Sequence, residues 1–175
     1  MTSLPTSIIV GMTPRAPTPV GRRTLLAALA GAFTLPMTVT AQEHPHTAAL
    51  LRAAQAGDVA ALARALDAGA PLEARDARGR TPVLIATDGD HVAAARLLME
   101  RGADVNAQDA QRDSAFLLAG ARGYTEIVRA ALAHGADWRV TNRFGGTALI
   151  PACERGHVDT VRVLLATDID VDHVN

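Results

Sequence analysis

Thr81–Asp113 reads TPVLIATDGDHVAAARLLMERGADVNAQDAQRD, and its landmarks return in Ser114–Gly146, SAFLLAGARGYTEIVRAALAHGADWRVTNRFGG. Ala86 falls on Ala119, Arg96 on Arg129, and Gly102-Ala103-Asp104 on Gly135-Ala136-Asp137, an offset of 33 residues (119 minus 86). The frame continues through Thr147–Asn175, with Ala152, Gly156, His157 and Val158 in register. It also runs back through Ala48–Arg80, with Ala53, Gly57, Gly69-Ala70 and Asp76. A fixed period in this range marks a stack of supersecondary units, none of which buries its apolar surface alone.

The chemistry of one unit follows from its residues. Thr81 is suited to cap a helix through its hydroxyl, and Pro82 to occupy a first turn whose N–H has no partner anyway. Val83, Leu84, Ile85 and Ala86 open that short helix. A second helix follows, with Val92, Ala95, Leu98 and Met99 on one face, and Gly102 supplies the left-handed residue that ends it. Val105-Asn106-Ala107-Gln108-Asp109 is too polar for core and reads as a turn or hairpin leading to the next unit. Such short helices depend on neighbours for stability. In the second unit Asp90 stands where the others carry Gly57, Gly123 and Gly156, at the left-handed exit of the first helix; aspartate tolerates that backbone better than most residues.

The period, the Thr81-Pro82 opening and the Gly102-Ala103-Asp104-Val105-Asn106 turn closely resemble the ankyrin repeat, over Ala48 to Asn175. The resemblance implies an all-α solenoid of paired short helices with four units: 48–80, 81–113, 114–146 and an incomplete 147–175. It implies a non-catalytic scaffold that binds a protein partner on a concave face of hairpin tips and inner helices. The residues at those positions are Arg75, Arg78, Arg80 and Asp88 at the first junction and Gln111, Asp113 and Arg122 at the second. At the third they are Arg143, Phe144, Glu154 and Arg155. Arginine and isolated aromatics are the side chains enriched at binding hot spots. His91 and His157, at one repeat position, correspond to a histidine that orders the inter-helix loop in this family. Trp138 shares a column with Leu72, Val105 and Val171 and reads as a half-buried hairpin anchor. Nothing covers the far side of the last unit, so Val163 and Leu164 are expected on an open face, with self-association as one way to cover it.

Residues 1–41 stand outside the repeats. Met1–Val20 is rich in Thr and Pro, Arg22-Arg23 precede the apolar run Leu25–Phe33, and Val39-Thr40-Ala41 offers small residues for cleavage. That layout is a bacterial export signal, and the paired arginines resemble a twin-arginine signal, although Leu25 stands where Phe is common. The apolar run is short for a membrane span. A periplasmic or secreted mature chain is therefore expected, with 42–47 as a polar lead-in. Its charge would be 14 arginines minus 18 acids, or −4, against −1 for the whole chain.

Little else carries chemistry. All 17 basic residues are arginine, and there is no basic excess of the kind that marks a nucleic-acid binder. The one cysteine, Cys153, rules out an intramolecular disulfide and shares a column with Ala54, Thr87 and Gly120, so a small packed thiol is expected. Ser114, aligned with Thr81 and Thr147, is a cap; no nucleophile and base stand in register, and no cofactor motif is present. Asp168, Asp170 and Asp172 are spaced like the start of a calcium loop but lack its sixth-position glycine and twelfth-position Glu. The second functional reading is a periplasmic metal-binding or enzyme-accessory protein. Cleavage after Ala41 would present an amine, two amides and the His44 imidazole as a square-planar nitrogen set for copper(II) or nickel(II), with His46 as an axial ligand. An N-terminal Gln42 that cyclises would lose the amine.

Overall fold

The computed structural model describes residues 46–167. The leader, His44, Val171 and the Asp168–Asp172 acids lie outside them. Eight helices follow in order: α1 (Thr47–Ala56), α2 (Val59–Asp67), α3 (Pro82–Asp88), α4 (Val92–Glu100), α5 (Ala115–Arg122), α6 (Thr125–Ala133), α7 (Leu149–Glu154) and α8 (Val158–Leu165). Among the described residues there is no strand. The odd-numbered helices pack in one row (α1 on α3, α3 on α5, α5 on α7) and the even-numbered in a second, with each odd helix also against its successor. This is the expected two-layer helical solenoid, and α1 begins one residue earlier than the unit boundary at Ala48.

The local signals act as their chemistry dictates. The Thr81 hydroxyl accepts from the Leu84 N–H at 3.4 Å, Ser114 from Leu117 at 3.3 Å, and the Asp58 carboxylate from Ala61 at 2.9 Å. Gly102, the second residue past α4, has φ +91°, and the Ala103 N–H reaches back to the Leu98 carbonyl. Asp90 takes the left-handed backbone, φ +53°, that the glycine column predicts. The core runs the length of the stack, from Leu50 and Leu62 through Val83, Leu98, Phe116 and Ile127 to Leu164, all fully buried. Each such side chain contributes about 1.5–3 kcal/mol. Small residues set the spacing between inner helices: a Cβ on Gly120 would lie 2.6 Å from that of Ala148. Trp138 is half-buried against this core, with the Arg139 guanidinium 4.3 Å above its ring.

Three expectations are corrected here. Val163 and Leu164 are buried, because α8 turns them toward α6 and α7; the open apolar surface of that helix is Val158 and Leu165, 58% and 50% exposed. Cys153 is exposed. Ala148 closes on Gly120, the preceding member of the Cys153 column, whereas among the described residues no later helix closes on Cys153. Finally, Thr147 does not cap its helix. Its hydroxyl is buried without a hydrogen-bond partner, and α7 begins only at Leu149, after Ala148. Pro151 accounts for the late start. In the other units the residue of that column, Ile85 or Leu118, donates its N–H to the carbonyl of Thr81 or Ser114. Proline has no N–H to give to Thr147.

Candidate functional site

The hairpin tips repeat one small motif. Asp76 Oδ1 accepts the N–H groups of Arg78 and Arg80, Asp109 Oδ1 those of Gln111 and Asp113, and Asn142 Oδ1 those of Phe144 and Gly146, all at 2.8–3.1 Å. A left-handed residue completes each turn: Gly79, Arg112 and Gly145. Three turns built alike place their next residues, Arg80, Asp113 and Gly146, at equivalent positions beside the inner helices.

Cross-links tie each tip to the next. Arg75 Nη1 donates to the carbonyls of Gly79, at 2.6 Å, and Gln108, at 2.8 Å. Gln108 in turn donates to the carbonyls of Arg112 and Thr141, and Arg143 Nη1 donates to Gln111 Oε1 at 2.8 Å. The Arg143 guanidinium also lies 4.7 Å from the Phe144 ring centroid, yet Phe144 remains 66% exposed.

On the inner helices the charges are sorted. Arg80 Nε donates to Asp76 Oδ2 at 2.8 Å and its Nη1 to Asp88 Oδ2 at 3.0 Å, while Arg122 Nη2 reaches Asp88 Oδ1 at 2.7 Å. Arg80, Asp88 and Arg122 thus hold one another across the first two junctions. Burial pushes the Asp76 carboxyl up, but the Arg80 N–H, its guanidinium and the Arg78 N–H outweigh it, so the pKa falls below the ordinary value. Arg155 occupies the column of Arg122 but meets Ala121 where Arg122 meets Asp88, and donates to the Ala121 carbonyl instead. Asp113 is half-buried with no side-chain partner. Burial raises its pKa, the Asp109 carboxylate raises it further, and Arg143 partly offsets both. Glu154 is exposed and also unpartnered among the described residues.

A groove of about 440 Å³ opens at the third junction. Leu117, Leu118 and Ala121 of α5 and Ile150 and Pro151 of α7 form its floor, Phe144 and Gly146 its tip side, and Asp113, Glu154, Arg122 and Arg155 its charged border. Arg78, Arg80, Asp88 and Gln111 line a smaller groove at the second junction, which Asp113 and Arg122 share. Of the eleven residues assigned from the sequence, nine line these two grooves; Arg75 and Arg143 line neither, and each is hydrogen-bonded to a neighbouring tip. The floor residues Leu117, Ile150 and Pro151 were missed, though their alternation with the tip positions within one 33-residue frame was available as a signal. Among the described residues no cluster of His, Cys, Asp and Glu is placed to hold a metal ion. His46 stands exposed at the start of α1 with no capping bond.

A family model described as ankyrin repeats, in three copies, matches residues 25–109 and 108–175. This chain belongs to the ankyrin repeat family. A crystallised ankyrin repeat domain from Acinetobacter baumannii is 50% identical, with a TM-score of 0.70 over 72% of this chain and 64% of that one. Another ankyrin repeat protein of known structure is 41% identical, with a TM-score of 0.70 over 74% of this chain and 66% of that one. The chain spans just under two thirds of the length of each. No curated protein matches it. Ankyrin stacks are in general protein–protein interaction modules and typically not enzymes. In this ankyrin stack no helix among the described residues is long and apolar enough to cross a membrane.

Proposed function

We propose that the chain is a non-catalytic scaffold that binds a protein partner along its tips and inner helices, with the third-junction groove as the main contact. The observation that carries this is the combination there of an apolar floor, an exposed Phe144 and two carboxylates that accept no hydrogen bond, on tips that cross-links tie together. A pre-organised surface loses little conformational entropy on binding. The test is capture from the native host with the full chain and with an Arg78→Ala, Arg143→Ala, Phe144→Ala triple variant. The variant should retain helical circular dichroism and lose the partner. Equal capture by both, or an unfolded variant, would show that the face is wrongly assigned.

The same reading places the mature protein outside the cytoplasm, on the strength of Arg22-Arg23 and the apolar run after them. Intact-mass measurement of protein from its native host should find a chain beginning at Gln42. A cytoplasmic species that retains Met1 and the apolar run would sink the idea.

A further inference from the structure

At the first junction the tip supplies Arg80, whose guanidinium crosses to the inner helix and binds Asp88, 3.0 Å away, while Asp76 holds its other edge at 2.8 Å. The same three columns at the third junction carry Asn142, Gly146 and Glu154. The tip backbone is equivalent, since Asn142 Oδ1 holds two N–H groups as Asp76 Oδ1 does. The acid of the pair is kept, as Glu154, and the arginine is deleted to a glycine. What the deletion leaves is the groove, with Glu154 at its border and no donor on it. Asp113, the other carboxylate of the border, is half-buried with no hydrogen bond to its carboxylate, and the Arg143 charge only partly offsets its burial. Of the two arginines of that border, Arg122 is paired with Asp88, and Arg155 donates one N–H to the Ala121 carbonyl.

From this asymmetry we infer that the groove takes an arginine side chain from a partner protein, on an extended segment with apolar neighbours. Its guanidinium binds Glu154 as Arg80 binds Asp88 within the chain. The inference rests on the reading of this face as the binding surface and adds the chemistry of the occupant. A planar, weakly hydrated guanidinium suits this place better than an ammonium, because it can pair with a carboxylate and stack on the Phe144 ring, as Arg143 already does. The apolar neighbours lie on Leu118 and Ile150, which are only partly buried. A carboxylate-bearing segment is disfavoured, since it would meet Glu154 and Asp113, and Arg122 is already paired with Asp88.

The test is selection of a randomised heptapeptide pool on the full chain, with two variants beside it. Gly146→Arg restores the missing arginine in the chain; Arg80 and Asp113 show that a side chain fits at that position of the turn. Glu154→Gln removes the charge. Arginine should be enriched at one position between apolar residues. Binding of such a peptide should fall about tenfold when its arginine is replaced by citrulline, and by a similar factor on Glu154→Gln. Gly146→Arg should abolish it. Enrichment of acidic peptides, or citrulline binding as well as arginine, overturns the guanidinium while leaving the groove as a binding surface, provided that Gly146→Arg still blocks. If Gly146→Arg leaves both peptide binding and capture of the native partner intact, the groove is not the contact and both readings fall.

Discussion

The imidazole of His91 occupies the space in front of Gly57: a Cβ built on that glycine would lie 2.6 Å from the ring. The ring's Nε2 is 3.0 Å from the carbonyl of Gln55, so Nε2 carries the proton and donates. The histidine of one unit thus orders the loop of the unit before it. His157 stands against Gly123 in the same way. Gly57 is constrained twice, by its left-handed backbone, φ +67°, and by its neighbour.

Gly57→Ala should therefore cost more than Gly69→Ala. At Gly69, φ +86°, a Cβ would meet nothing within 4 Å, so only backbone strain of about 1–2 kcal/mol is added. At Gly57 displacement of His91 adds roughly 1–3 kcal/mol more. Urea midpoints of the two variants decide it. Equal losses would mean that His91 yields without cost.

Arg112 is the one member of its column that is not glycine, and it adopts φ +63° where Gly79 and Gly145 have +77° and +81°. Arg112→Gly should raise stability by about 0.5–1 kcal/mol, the relief of strain less the added freedom of the unfolded chain. Asp90→Gly should be closer to neutral. Loss of stability in the first variant would show that the arginine side chain contributes more than its backbone costs.

Asp113 gives a pH dependence with a definite sign. Its folded pKa is raised, so between the unfolded and folded values the native state holds more protons than the unfolded chain. Stability then falls as pH rises through that window. Asp113→Asn should stabilise at neutral pH, and the gain should vanish on acidification below the ordinary carboxylate range. Denaturant titration of both proteins across that range is the measurement. A gain independent of pH would assign the effect to something other than the charge.

Pro151→Leu should restore the N–H that Thr147 lacks, lengthen α7 at its start and add about 0.5–1.5 kcal/mol. A slowly exchanging amide at residue 151 would report the new bond. Fast exchange there, with unchanged stability, would show that the helix start is held back by something else.

The helices and their stacking were legible because each depends on columns that recur: the cap at Thr81 and Ser114, the glycine after α4, the aspartate standing in for glycine at 90. The strained Arg112 was equally open to that comparison, lying between Gly79 and Gly145. Pro151 hid because its effect falls on another residue, the carbonyl of Thr147. The pairing of Arg80 and Arg122 on Asp88 was not legible, since it depends on how far two long side chains reach across adjacent units. That reach separates arginines held within the chain from carboxylates left without a donor. Cys153 was misjudged because its column is buried by whatever follows it, and Val163 and Leu164 because helix rotation, not chain order, decides which residues face inward.

The cross-links between units also bear on how the chain comes off the ribosome. The widest described hydrogen bond, His91 to Gln55, spans 36 residues, and the helix pairs in substantial contact are neighbours in the stack. No described link between two early units waits for the last one to be made. Each junction can close once the next helix pair has emerged, so nascent apolar surface such as Leu98 or Phe116 stays uncovered only for the synthesis of a single further unit. Contacts between distant parts of a chain slow folding and prolong exposure of apolar surface; here each junction requires only the neighbouring unit.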